Sequence, residues 1–532
     1  MPFSLIMSTL YIALITSVYI VYRLRVRSSQ TRKNAGAETS MSLDLEGSLS
    51  EPAQQLRAKL MSALPESIIS PENAASFKQS TNSYWDQKAC EVRPSCVVRP
   101  RDVQELSRTV KILKSEFDQR RKESKISESI LEGIFAVRGG GHSPVAGASS
   151  IKGGSLIDMS LFNEVTPSDD GKSVIIGAGC KWIQVSKVLE AKGLAAVGGR
   201  NSAVGVGGLI LGGGLSFFSP RFGFVCSNII QYEIVLANGS IAIASKTQNS
   251  DLWRALKGGS NNFGIVTRFT AHTFPSTDIW SGFLYIFPFE APKVLSAFHE
   301  FVDRVVINDE GKTHDEYAAG PLACFTYLQQ LGIQAIAVNL VHTKPPMGDK
   351  GWATCWQSSA FPKLWRFWST CSVKSLSSAT DENDKETLEA THKAYRDAIT
   401  SIRKHNIKAM SWTLVLQPLL PDWARKGDPN PLGLSSSTNE SLVNVSFTVN
   451  WALAKDDGLV QSLTRMAIEQ IDRFAVGKGT AHRYRYLNYC GSWQKPFEGY
   501  GEKNVDFLRA VSRTYDPEGL FQYGCVGGFK LK

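Results

Sequence analysis

Two glycine-rich turns hold the residues of this chain best suited to chemistry. The first, Arg138-Gly139-Gly140-Gly141-His142-Ser143, ends the apolar run IFAV. Its three successive glycines remove side chains, so backbone N–H groups can approach an anion, and a phosphate-bearing ligand is the natural occupant. The histidine that follows supplies a ring nitrogen able to act as a nucleophile near neutral pH. No Gly-Lys-Ser/Thr follows the turn, which excludes a Walker A loop. Taken alone, the hexapeptide reads equally well as a tight turn with a surface histidine. The second cluster, Val204-Gly205-Val206-Gly207-Gly208-Leu209-Ile210-Leu211-Gly212-Gly213-Gly214, has six glycines in eleven positions. It fails the Rossmann fingerprint because Ile210 stands at the third glycine position and no acidic residue follows at the expected distance. Two separate glycine loops in one α/β unit suggest a long cofactor touched on both sides of its pyrophosphate; close packing of helix on strand is the competing reading.

The elements around these turns alternate in type. PSCVVRP reads as a strand, DVQELSRTVKILKSEF has apolar residues at helical spacing, and IFAVRGGGHS is a strand again. Before them, Ser50 is a possible N-cap for the helical run PAQQLRAKLMSAL. Residues 273–477 contain β-branched and aromatic runs, SGFLYIF, LACFTYL, IQAIAVNLVH, AMSWTLVLQPL and VNVSFTVNWAL, which predict an antiparallel sheet. ETLEATHKAYRDAITSIRKH and GLVQSLTRMAIEQIDRF predict helices beside it, an α+β arrangement.

At 532 residues, with 43% hydrophobic and 20% charged, the chain is long and apolar enough to fold around ordinary cores, as two to four domains or one large α/β domain with an insertion. The net charge of +10 is dispersed, with no basic run interleaved with aromatics, so nucleic acid is not expected as a partner. Nine scattered cysteines include no C-x-x-C pair, and no metal is expected; Cys90 and Cys96 read as buried thiols before they read as a disulfide. The histidines other than His142 show no ligand spacing, with His482 the one to watch. Residues 2–22 are uncharged and match the thickness of a bilayer, and no signal-peptide cleavage pattern is evident, so a single-pass membrane anchor is expected. Arg23, Arg25, Arg27, Arg32 and Lys33 follow at once, which favours a cytosolic catalytic part, a lumenal or secreted one remaining open. Residues 23–50 then read as a flexible linker.

The succession GAGCKW, GLAAVGGR, VGVGGLILGGGLSFFSPRFGF, NIIQYEIVLANGS and DLWRALKGGSNNFGIVTRF, with Tyr486-Leu487-Asn488-Tyr489 and Tyr515-Asp516-Pro517 near the end, resembles the berberine bridge enzyme-like branch of FAD-linked oxidases. The resemblance covers roughly residues 80–272 and 480–525. It implies the p-cresol methylhydroxylase and vanillyl-alcohol oxidase fold: an α+β protein with a two-part FAD-binding domain, 51–272 and 478–532, and an inserted antiparallel-sheet substrate domain, 273–477.

The resemblance also implies FAD bonded covalently to His142, and through His142 only, because Asn201 stands where many relatives have a second, cysteine attachment. It places Arg138 to Ser143 with Gly147, and Val206, Gly207, Gly208, Gly212, Gly213, Gly214 and Ser216, around the pyrophosphate and ring. Gly264, Ile265 and Val266 are matched to the adenine end. Asn228 follows Ser227, where relatives commonly have Asp, and Asn488 is a further cofactor residue. Tyr486 and Tyr489 match the catalytic base, with pocket walls as the alternative role and Arg483 or Arg485 as the cation such a base needs. Gln417 stands where some relatives carry an acid. The implied activity is two-electron oxidation of a small organic, secondary metabolite: alcohol oxidation, desaturation or oxidative ring closure, with molecular oxygen as acceptor. Trp412, Phe447 and Trp451 in the predicted sheet favour an apolar substrate. A carbohydrate oxidase and a non-catalytic flavin-binding scaffold are the alternatives.

Overall fold

The computed structural model describes residues 49–123, 133–145, 147–303, 315–344, 351–385, 399–434 and 441–532. The expected anchor at 2–22, nearly all of the linker and most of the helix predicted at 386–405 lie outside the described residues. Among the described residues no helix is long and apolar enough to cross a membrane.

The described residues form three sheets. The first runs in the order Ile68–Ile69, Cys96–Val98, Ser155–Asp158, Phe135–Arg138, the last three strands parallel. Cys96–Val98 and Ser155–Asp158 are buried at every position, as strands covered on both faces must be; Cys96–Val98 is apolar throughout, and Asp158 at the end of its strand is paired with Arg138. The helix Val103–Glu123 connects into this sheet and buries Leu106, Val110, Leu113 and Phe117 along one stripe. Asp102 caps it, accepting from the amides of Gln104 and Glu105 at 2.8 Å each. Ser50 precedes the helix Glu51–Ala63 as expected but makes no side-chain capping bond.

Phe135–Arg138 is the edge strand, and it leads directly into the first glycine turn. Its open edge is covered by the end of the chain: the Ile134 amide donates to Gly524 O at 2.7 Å and the Val526 amide to Phe135 O at 2.8 Å. The carboxy-terminal return therefore holds the strand that carries the histidine.

The second sheet has the order Val165–Pro167, Ser173–Gly177, Ile265–Pro275, Ile229–Val235, Ile241–Ser245, with Leu194–Ala196 added beside Ile265–Pro275. Asn238-Gly239 makes the hairpin turn between the last two, with Gly239 at φ +78°.

The third sheet is antiparallel throughout: Arg366–Ser369, Ile279–Ile286, Ile333–His342, Ala318–Leu328, Ser411–Leu419, Leu442–Asn450, with Ser372–Lys374 also beside Ile279–Ile286. One face packs on the helices Ala291–Asp303 and Asp457–Gly477, through Phe325, Val338 and Leu414 in one cluster and Trp412 in another. Alternation along the strands puts Phe283, Cys324, Ala337, Val415 and Gln417 on the opposite face.

Candidate functional site

The two glycine loops touch backbone to backbone. A Cβ on Gly140 would lie 2.4 Å from Gly205 Cα, and one on Gly205 would lie 2.5 Å from Gly140 N. Between them runs the GAGCKW segment. Its Ala178 carbonyl would sit 3.3 Å from a Cβ on Gly139 and 3.1 Å from one on Gly207. The amides of Trp182 and Val206 pair with Val204 O and Cys180 O at 3.0 and 2.9 Å. Gly140 and Gly205 are thus required by packing, and Gly139 and Gly207 sit in tight contact. At Gly147 and Gly208 no described atom lies within 4 Å of a Cβ, so their bare backbone faces open space. That side-chain-free cradle, bounded by two loops locked together, fits the pyrophosphate of a dinucleotide.

His142 follows Gly141, whose φ of +65° favours glycine. The Gly141 carbonyl accepts from the Trp85 amide at 2.9 Å, and the Trp85 indole stacks on the imidazole with ring centroids 5.3 Å apart. Trp85 is a site residue that sequence reasoning did not find; no motif marks it. Arg138 is placed differently from the expectation. Its guanidinium is buried against Asp158 at 2.7 Å, donates to Ser80 O and Oγ at 2.7 and 2.6 Å, and lies over the Tyr84 ring. It ties the strand end to the helix Ala74–Thr81, leaving only its backbone for a ligand. Ser143 Oγ accepts from the Val145 amide at 3.2 Å and shapes the turn.

Several expected cofactor residues also hold the loops through their side chains. Ser216 Oγ accepts from the amides of Gly198 and Phe218, both at 3.2 Å. Asn228 donates to Phe222 O and Phe224 O at 2.9 and 2.8 Å, so its amide secures a turn. Asn488 donates to Leu209 O at 3.1 Å, and its Oδ1 would be 2.0 Å from a Cβ on Gly212, which explains that glycine. Gly213 and Gly214 adopt φ +106° and +79°. Gly264 precedes Ile265 and Val266, which pair with Val235 and Ile234; the ladder on their other side begins only at Arg268–Gly177.

The second glycine region also presents Arg200. Trp182 lies against Gly198 and Gly199, where a Cβ would come within 2.4 and 2.5 Å of the indole. Asn201 Oδ1 accepts from the Ala203 amide at 2.9 Å, so the residue matched to a cysteine attachment closes a turn instead. Arg200 Nη2 donates to Tyr489 Oη at 2.8 Å and to Gln417 Oε1 at 3.1 Å. The cation beside the tyrosine is therefore Arg200. Arg485 is paired with Asp472 at 2.9 Å, and Arg483 packs beside Gly501. Asn444 stands opposite Gln417 in the ladder, and its buried Nδ2 has no hydrogen-bond partner among the described residues. Sequence reasoning passed over Arg200 and Asn444; the only signal for Arg200 is its place directly after the Gly198-Gly199 pair.

The two tyrosines separate. Tyr489 is exposed at 43%. Tyr486 is buried, packs edge-on against Tyr489 with centroids 4.8 Å apart, and accepts from Asn488 Nδ2 at 3.1 Å. Burial first, and then Tyr489 beside it, push the Tyr486 phenol well above its usual range, so it stays neutral. His482 Nδ1 accepts from the Tyr484 amide at 3.1 Å in a local turn.

The wall facing this cluster is the Gln417 face of the third sheet, lined by Phe283, Leu322, Cys324, Ala337 and Val415, with Tyr285 packed against them. Trp412, Phe447 and Trp451 are on the other face, with Ile402 and Val460, so they do not line a substrate pocket. Alternation explains the difference: Trp412 is an odd number of residues from Gln417 along one strand.

A bare-backbone cradle, a histidine at its lip and a polar cluster under an antiparallel sheet define an FAD-linked oxidoreductase of the p-cresol methylhydroxylase fold, and residues 94–245 match the family described as the FAD binding domain. The chain belongs to the berberine bridge enzyme-like family of these enzymes. It is 32% identical over 498 residues, covering 89% of this chain and 98% of the other, to the FAD-dependent monooxygenase sdcF of Emericella nidulans. Its fold is similar to 6-hydroxy-D-nicotine oxidase from Arthrobacter nicotinovorans, with TM-score 0.66, 20% identity, and coverage of 87% of this chain and 97% of that one. It is also similar to glucooligosaccharide oxidase from Acremonium strictum, with TM-score 0.64, 16% identity, and coverage of 90% and 99%; that protein's FAD is described as 6-S-cysteinyl, 8α-N1-histidyl. Among the described residues no disulfide forms, Cys90 and Cys96 included.

Proposed function

We propose that this protein oxidises a small, apolar secondary metabolite by two electrons, through alcohol oxidation, desaturation or oxidative ring closure, with Tyr489 as proton acceptor. The observation that carries the reading is the cluster in which Arg200 holds both Tyr489 and Gln417. FAD, when bound, supplies the acceptor for a hydride. Tyr489 Oη, as the phenolate, takes the proton of the substrate hydroxyl and becomes the neutral phenol, and the Arg200 guanidinium fixes that oxygen and offsets the phenolate charge. The Gln417 amide cannot take a proton, so it orients the substrate, as does the Asn444 amide opposite. The apolar sheet face of Phe283, Leu322 and Val415 excludes water and favours an apolar substrate over a sugar.

His142 is the one covalent anchor in this reading. Asn201 has no thiol, and Cys180 and Cys226, the nearest cysteines by sequence, are buried and have their thiols pushed up to about 12 by that burial. The bare backbone at Gly147 and Gly208 faces the pyrophosphate, between loops that Gly139, Gly140 and Gly207 hold together. Molecular oxygen is the final acceptor, and residues 2–22 form a membrane anchor with the catalytic part in the cytosol.

Anaerobic mixing with panels of apolar metabolites and oligosaccharides, following loss of the flavin colour, tests the reading. Arg200→Ala is expected to slow bleaching by about 100-fold or more at unchanged flavin content. Bleaching by oligosaccharides alone supports a carbohydrate oxidase, and bound flavin that nothing bleaches supports a scaffold. Oxygen uptake during turnover tests the acceptor.

A further inference from the structure

Asp315, His342 and Cys355 come together at one end of the third sheet, outside the glycine loops and the Arg200 cluster. One ligand atom from each, a carboxylate oxygen, a ring nitrogen and a thiol sulfur, all lie within 4.8 Å of one another. Asp315 Oδ2 and His342 Nε2 are within hydrogen-bond distance at 3.1 Å, a separation also close to the edge of a tetrahedron of ligands around one small cation. Each residue is fixed by separate contacts. Asp315 accepts from the Tyr317 amide at 3.0 Å. His342 is the last residue of its strand and pairs with Ala318 and Trp280. Cys355 precedes Trp356, which is fully buried and donates through Nε1 to Val341 O at 3.1 Å.

The histidine's surroundings give a second, independent pointer. Its Nδ1 faces the Lys344 carbonyl and its Nε2 faces the Asp315 carboxylate. Both facing groups are acceptors only. With Nδ1–H donating to the Lys344 carbonyl, Nε2 is the ring nitrogen turned toward Asp315, where a metal ion would sit. A backbone carbonyl on the far nitrogen is also the usual way a ligand histidine is oriented.

We propose that Asp315, His342 and Cys355 form a zinc site with one position left to water, clamping the Thr354–Gln357 helix to the end of the sheet. With Zn2+ bound, the site holds a carboxylate, a neutral imidazole and a thiolate, and any proton on the ligating nitrogen or sulfur leaves to solvent. Spacing along the chain gives no hint of this site, because its ligands come from a loop, a strand end and a short helix.

The test uses the full flavoprotein, stripped with chelator, reloaded with zinc chloride and dialysed. Elemental analysis is expected to find one equivalent of zinc per chain, and zinc is expected to shield Cys355 from alkylation, read by peptide mass mapping on unmutated protein. His342→Gln and Cys355→Ser should each weaken zinc binding by more than about 100-fold, beyond the loss that supporting residues alone give. Zinc well below one equivalent, or alkylation of Cys355 at the same rate with and without zinc, overturns the proposal. So does full zinc retention in a folded Cys355→Ser protein.

Discussion

Arg200 and Tyr489, 289 residues apart in sequence, meet at 2.8 Å, and the same guanidinium nitrogen reaches Gln417 in the third sheet. One cation thus joins the second glycine region, the carboxy-terminal return and the sheet that faces them. The site exists only when all three are assembled.

The two tyrosines should respond differently to loss of their hydroxyls. Tyr489→Phe removes the proposed proton acceptor and should slow substrate-driven flavin reduction by about 100-fold or more. Tyr486→Phe removes a phenol held neutral by burial and one bond from Asn488, so stability should fall by about 1 kcal/mol while the rate stays within a few-fold. Single-turnover kinetics and thermal unfolding of both variants check the pair. Equal rate losses would remove the distinction between them.

Glycines that serve packing and glycines that face a ligand should also part. Gly140→Ala drives a methyl into the Gly205 backbone and should destabilise the protein by roughly 1–3 kcal/mol or more, with or without flavin. Gly208→Ala meets no atom within 4 Å, so the flavin-free protein should melt as wild type does while its flavin content falls. The flavin-to-protein ratio and the melting temperature of the flavin-free protein read the two effects separately.

Lys257 is fully buried, donates to Ile229 O at 3.0 Å, approaches Asp428 at 3.4 Å and lies over the Trp253 ring. Burial pulls its pKa down from 10.5 to about 8. Below about pH 8 both folded and unfolded chains hold the proton, so the folded state bears the whole cost of the buried charge. Between about 8 and 10.5 the unfolded chain holds more of the proton, so this cost is relieved as pH rises, by about 3 kcal/mol in all. Lys257→Met should lack that rise. The difference between wild-type and variant stability, measured at pH 7 and pH 10, gives the sign.

The two faces of the third sheet should affect different quantities. Trp412→Phe, on the helix-packed face, should lower stability and leave substrate affinity unchanged. Val415→Ala, on the face bearing Gln417, should change KM or substrate preference as well. Steady-state kinetics across a substrate panel, beside melting curves, checks the assignment.

The fold and the glycine loops were largely legible in the sequence, because the density of glycine from Gly205 to Gly214 and the strand running into Gly139 are local signals. The strands of the third sheet were legible as period-two runs. Which face of Ser411–Leu419 points inward was not, since alternation gives two faces without saying which one meets Arg200. Trp412 therefore counts toward an apolar substrate in the sequence while its side chain packs on the helices. Arg138 is a cofactor residue by resemblance, whereas Asp158 on the neighbouring strand holds its side chain. Contacts between distant segments, such as Trp85 on His142 and Arg200 on Tyr489, leave no trace in spacing.

The central claim is that two interlocked glycine loops cradle FAD and His142 alone bonds it. Acid precipitation of the purified protein, followed by peptide mapping of the coloured fraction, tests this most directly. The flavin should stay with the wild-type precipitate on the peptide containing His142 and pass into solution from His142→Ala. Flavin freed from wild-type protein by acid, or found on any other residue, would contradict the account.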